Sequence, residues 1–174
     1  MLNKSKPSRK NEFLPTDEEL KLFFQCSKGT FYDNAFRLQM LAGLRNNELY
    51  ALTVQDIDLE ERVLTVRRTL TYAGGEYIFG LTKTGPRRIH LSEYGTEIVK
   101  KQLASRENIN IPDKFKDFLF VTADGEALKS FAYAAAVKEI TDSNKELDFF
   151  WTHAFKSVLD KENEQEALIK KFDL

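Results

Sequence analysis

The sequence predicts an α+β fold: a mainly helical domain packed around a small three-stranded antiparallel sheet. Three observations carry that expectation. Apolar residues recur at helical spacing near the start, with Leu20, Phe23 and Phe24 on one face and Phe36, Met40 and Leu44 at i, i+4 and i+8. The stretch from Arg62 to Leu91 is rich in β-formers and is cut by Ala73-Gly74-Gly75 and Gly85-Pro86. Helical patterning then returns for most of the remaining chain. A length of 174 residues, 42% apolar content and 14 Phe suit one domain with a single core.

The elements follow in order. Met1 to Glu12 is polar and basic and reads as a flexible arm or linker ahead of a domain spanning 13–174. In Leu14-Pro15-Thr16-Asp17-Glu18-Glu19, Thr16 is a helix cap and Glu19 holds the capping-box position. Gly29 ends that helix. A second helix runs from about Tyr32 to Leu44, and a short new one carries Glu48 and Leu49 in its first turn. Val54 to Asp58 is a turn with two Asp as local caps. Arg62–Leu70, Glu76–Thr82 and Arg87–Leu91 are three strands of a meander, with Lys83 at the end of the second. Ser92 caps a helix to about Leu103, Phe118–Val121 is a short strand, and Lys129–Ile140 is a helix with Phe131, Ala135 and Val137 inward. Phe149-Phe150-Trp151 is an apolar anchor before Thr152-His153. Helical text resumes at Ala154–Leu159 and in a charged tail whose Ala167, Leu168 and Phe172 form one stripe.

Net charge is −1, so bulk charge does not announce a nucleic-acid partner. Its distribution is more informative. Six basic residues (Arg62, Arg67, Arg68, Lys83, Arg87 and Arg88) face one acid, Glu76, between Arg62 and His90. The single Cys26 excludes an internal disulfide framework and a Cys-based zinc site. No run approaches the roughly 18 apolar residues of a membrane span, and the N-terminus lacks a signal-peptide core. A cytoplasmic protein with no membrane association is expected.

One stretch, LAGLRNNELYAL through GLTKTGPRRIHL, concentrates the chemistry. Arg45 stands at a helix end beside Glu48, and Lys83 follows on a hairpin about forty residues later with Arg87 and Arg88 behind it. An Arg fork holds two phosphate oxygens and keeps its proton, while a Lys offers a movable charge whose pKa falls near other cations. Together they look like parts of an anionic-phosphate site. The competing readings are a surface ion pair for Arg45 and Glu48, a plain strand-end Lys83, and an exposed charge pair for Arg67 and Arg68.

The pattern G-L-R-x-x-E-L, a D-I-D turn, then K-T with paired Arg resembles the catalytic domain of the tyrosine recombinases, the phage and transposon integrases. The resemblance covers roughly residues 12–157 and is strongest over 41–91. It implies DNA phosphodiester exchange without metal or other cofactor, on double-stranded DNA, with other recombinase protomers as further partners. In that family two Arg clamp the scissile phosphate, a hairpin Lys is the general acid, a His assists, and a Tyr forms a 3′-phosphotyrosyl intermediate. Arg45 matches the first Arg, Glu48 an acid of structural support, Lys83 the hairpin Lys, and His153 in WTHAFKS the His. Arg67, Arg68, Arg87 and Arg88 are then candidate DNA contacts.

The match has departures. Lys156 stands where the second Arg is expected, which keeps the charge and loses the bidentate fork. Ser157 replaces a further His. All six Tyr precede His153, so none occupies the nucleophile's place in chain order. His153 can also be read as a core His under Trp151. The sequence therefore predicts an integrase-like catalytic domain truncated after its second catalytic box and unable to cleave DNA alone. Two alternatives remain open: a partial enzyme receiving its Tyr in trans, and a non-catalytic DNA-binding or protein-interaction module on the same scaffold.

Overall fold

The structure, a computed structural model, describes residues 14–147, 150, 152–162 and 164–174. The expected basic arm and two residues of the expected anchor, Phe149 and Trp151, lie outside the described residues.

Helix α1 (Asp17–Ser27) opens on the expected capping box: Thr16 Oγ1 accepts from the Glu19 N–H, and Glu19 Oε2 accepts from the Thr16 N–H at 2.7 Å. Helix α2 (Asp33–Ala42) is buried all round from Ala35 onward and forms the centre of the core. Even Arg37 is taken in. Its Nε lies 2.9 Å from Asp33 Oδ1, Nη2 donates to the Phe24 carbonyl at 3.1 Å, and Nη1 donates to the Tyr94 hydroxyl at 3.0 Å. Gly43 closes α2 in the left-handed region at φ 61°, and helix α3 (Asn46–Ala51) starts three residues later.

The sheet is small, three-stranded and antiparallel as expected, but its membership differs from a meander. The predicted strand 62–70 is broken at Arg67 into β2 (Val63–Val66) and β3 (Arg68–Ala73). β2 lies between β1 (Ile57–Asp58) and β5 (Arg87–His90), while β3 forms a separate hairpin with β4 (Glu76–Leu81) across Gly74-Gly75. Alternation along 62–70 shows which side chains share a face, not which neighbour each half pairs with.

Helix α4 (Glu93–Arg106) is capped by the Ser92 hydroxyl, as expected. Residues 118–121 make only isolated bridges, Thr53 to Phe118 and Val121 to Ala127. Helix α5 (Ser130–Asp142) buries Tyr133, Val137 and Ile140, correcting the inward face: Phe131 is 84% exposed and Ala135 is exposed too. Helix α6 (Ala154–Glu162) packs on α2, and α7 (Gln165–Phe172) returns to α1 and α2 with Leu168 and Phe172 in the core. Among the described residues no helix is long and apolar enough to cross a membrane.

Candidate phosphate site

The site is built at the α2–α3 junction. Because Gly43 turns the chain out of α2, Arg45 enters in extended backbone (φ −71°, ψ 154°) as the residue that caps α3. Its side chain is therefore delivered at the start of a new helix rather than at the end of the old one. One turn on, Glu48 faces back. Its Oε2 accepts from the Arg45 N–H at 2.9 Å, and its Oε1 lies 3.3 Å from Arg45 Nη1.

Glu48 has a second and stronger partner. Arg87 on β5 donates Nη1 to Oε1 at 2.9 Å and Nη2 to Oε2 at 2.8 Å, a two-point fork. Strand alternation separates the paired arginines. Arg87 turns inward to α3, whereas Arg88, opposite Thr65 of β2, is exposed. The Glu48 side chain has no exposed surface, against 38% for Arg45 and 28% for Arg87. Burial alone would push its carboxyl up. The bonds from Arg87 and the Arg45 N–H, together with both guanidinium charges, outweigh burial and hold it below the ordinary carboxylate value. Arg87 is pushed up in turn by its bonds to Glu48. Arg87 thus gives two nitrogens to Glu48, while Arg45 gives one side-chain nitrogen at 3.3 Å and is the more exposed of the two.

His153 is exposed and shares a cleft of about 390 Å³ with Asn46, Asn47 and Tyr50 of α3. It is not the buried histidine of the competing reading. Lys156, one turn into α6, lies 3.1 Å from Asp160 Oδ2, and the Asp160 charge reaches Arg87. Arg45, Glu48 and Arg87 thus meet at the start of α3, and His153 faces the same helix across the cleft, three residues before Lys156 in the chain. Lys83 sits in the turn Thr82–Gly85, two residues past β4 rather than at its end, and is exposed. Among the described residues it has no ion pair.

Arg67 and Arg68 are tied to Asp56, which is also the local cap expected of it. Asp56, 4% exposed, lies 2.9 Å from Arg67 Nε and 3.3 Å from Arg68 Nη2. Its Oδ2 also accepts from the Thr53 N–H and hydroxyl, each at 2.9 Å. Arg68 lies over the Phe79 ring at 5.7 Å as well. Arg67 is about half exposed and presents the rest of its guanidinium outward. The Asp56 and Arg87 pairings depend on contacts between separate elements, which local sequence patterns do not show. No group of His, Cys, Asp and Glu suited to a metal ion occurs among the described residues.

Two of the six tyrosines, Tyr50 on α3 and Tyr133 on α5, keep their side chains in the core. Tyr50, one turn along α3, is 1% exposed and burial pushes its hydroxyl up. Tyr133 is buried, and burial pushes its hydroxyl up as well.

The phage integrase family matches residues 12–159. The chain is 35% identical over 86 residues to the prophage integrase IntR of Escherichia coli K12, covering 48% of this chain and 20% of that protein. It is 32% identical over 112 residues to the transposase of transposon Tn916 from Enterococcus faecalis, covering 60% and 27%. The Tn1549 transposon integrase, solved in complex with transposon right end DNA, superposes with a TM-score of 0.77 at 20% identity, over 95% of this chain and 58% of that one. XerA recombinase gives 0.65 at 17%, over 98% and 57%. At such identities the two structures speak for the fold alone, and in all four comparisons the chain spans less than two thirds of its relative. The family match covers most of the sequence, and on it the chain belongs to the phage integrase family, the tyrosine recombinases.

Proposed function

We propose that this chain is the phosphate-gripping part of a site-specific tyrosine recombinase catalytic domain, acting on double-stranded DNA in DNA integration and recombination. Arg45 clamps the scissile phosphate, Lys83 is the general acid, and His153 and Lys156 complete the anionic site. Arg67, Arg68 and Arg88 lie along the DNA backbone, Arg87 and Glu48 hold Arg45 in place, and no metal or organic cofactor takes part. The domain begins at about residue 13, after a basic arm, and works in the cytoplasm with other recombinase protomers as partners.

The observation that carries this reading is the division of labour around Glu48. A fully buried carboxylate holds Arg87 by two nitrogens and meets the Arg45 guanidinium at one, leaving the Arg45 side chain 38% exposed at a helix start. That is how a charge is pre-set for an anion rather than spent on a structural pair. Helix α3 itself is short, so the guanidinium and not the helix dipole supplies the attraction.

The Tyr50 and Tyr133 environments favour a form that does not cut DNA unaided. Burial of both side chains supports the in-trans reading, in which the attacking tyrosine is supplied from elsewhere. The test is fluorescence anisotropy of the chain on a random duplex of about 25 base pairs across a salt series. The expected result is a log–log salt slope of several units, lowered by about 1 in Arg45→Ala with affinity weakened about three- to ten-fold. No binding at low salt rules the reading out. A covalent adduct with a nicked recombination-site duplex would show that the chain does carry a nucleophile.

A further inference from the structure

Beneath the ion pairs lies a buried polar network that spans four segments. Gln39, on the fully buried turn of α2, has no exposed surface. Its amide nitrogen donates to the Leu44 carbonyl at 3.2 Å and to Asn46 Oδ1 at 2.6 Å. Its Oε1 accepts from the hydroxyl of Tyr133 on α5. Asn46 Oδ1 accepts a second bond, at 3.3 Å, from the hydroxyl of Thr152, which is 4% exposed. Leu44 and Asn46 are the two residues flanking Arg45, and Thr152 immediately precedes His153.

One buried amide therefore grips both sides of the residue that grips phosphate, and one acceptor ties that junction to the segment bearing the histidine. In a dry interior such bonds are costly to lose, because the partner left behind has no water to turn to. Packing alone would be met by an apolar side chain at 39 and 152. What the polar groups add is direction: they fix the Leu44 carbonyl and the Asn46 side chain, and so the exit angle of the backbone at 45.

On the phosphate-site reading above, we propose that Gln39, Asn46 and Thr152 form a positioning network that sets Arg45 relative to His153. Gln39 has no exposed surface and Thr152 is 4% exposed. They act through Arg45, and loss of one end of the network is felt at the other.

The mildest probe is Thr152→Val, which keeps shape and removes the hydroxyl, with Thr152→Ser as the conservative partner. Gln39→Met probes the other end. Two readouts are taken on the full chain: duplex affinity by anisotropy, and backbone amide resonances of Arg45 and His153 by heteronuclear NMR. Thr152→Val is expected to shift the Arg45 amide and to weaken duplex binding about three- to ten-fold, while Thr152→Ser restores both. In an Arg45→Ala background the same Val substitution is expected to change affinity by less than about two-fold, because the residue it acts through is gone. Gln39→Met is expected to shift the His153 amide. An unmoved Arg45 amide, or equal losses with and without Arg45, overturns the proposal. Should Arg45→Ala itself bind like wild type, the phosphate-site reading falls, and the two amide resonances alone decide whether the network couples the two segments.

Discussion

A carboxylate with no exposed side-chain surface stays ionised only where donors and positive charge offset its lost hydration. Glu48 meets that condition through Arg87, the Arg45 N–H and the Arg45 guanidinium, and its pKa is lowered on balance. Glu48→Gln keeps the shape and removes the charge. It leaves one amide NH₂ facing the Arg87 fork, so the expected loss of stability is about 2–3 kcal/mol. The pH dependence follows from the direction of the shift. A carboxyl lowered on folding contributes stability that is complete above its unfolded value, about 4.3, and is lost as pH falls through the folded value. Thermal unfolding followed from pH 7 to pH 3 should therefore show wild type and Glu48→Gln converging only in the acid part of the range. A constant gap down to pH 3 would mean that the Glu48 charge is not what stabilises the junction. At this scale the sequence was informative where partners lie one turn apart, as in Arg45 with Glu48. It was silent where they come from different elements, as with Arg87. Two adjacent arginines look alike in the text and part only when strand alternation assigns one to α3 and the other to solvent.

Elements were legible where a local rule writes them. The Thr16 box and the Ser92 cap both follow from hydrogen bonds within a few residues. Strand pairing was less legible, because β2 and β3 read as one run until Arg67 divides them. The division has a physical holder in Asp56, which binds Arg67, Arg68 and Thr53 together. Likewise the inward face of α5 was drawn through Phe131, since hydrophobicity alone favours the more apolar ring, yet the helix turns Tyr133 inward, where its hydroxyl finds Gln39. Asp56→Asn should release the two arginines while keeping an acceptor for Thr53. A loss of about 1–3 kcal/mol is expected, as for bonds to a buried charge with partly exposed partners. Amide exchange should then rise at the β2–β3 boundary before it rises in α2. Uniform exchange changes across the molecule, or none, would deny Asp56 that local role.

At the scale of the whole molecule, the α+β class and the neighbourhood of the site were legible because both ends of that neighbourhood carry dense local patterns, GLRNNEL and TKTGPRR. The tail was the harder question. Its charge hides an apolar stripe, and the family match stops at residue 159. In the structure α7 is nonetheless part of the core. Leu168 has no exposed surface and Phe172 is 2% exposed. Gln165 closes a two-way clasp on the β5–α4 junction, donating to the His90 carbonyl at 2.7 Å and accepting from the Ser92 N–H at 2.8 Å. Lys171 reaches Asp17 at 3.3 Å and also pairs with Glu162, tying the tail to α1 and α6. The exposed ion pairs are worth little, so the burial must carry the stability. Phe172→Ala removes a ring from a packed site and should cost about 3–5 kcal/mol, a large share of the 5–15 kcal/mol typical of a domain. For a chain of this length that corresponds to a fall in Tm of roughly 10 °C. Lys170→Ala, on the exposed side of the same helix, should move Tm by less than about 2 °C and serves as the control. If the tail were an appendage without packing, the two substitutions would be alike and limited proteolysis would remove it without affecting the transition. A large, one-sided effect at Phe172 would instead make α7 a structural support of the site, since it packs on α2, the helix that Gly43 ends to deliver Arg45.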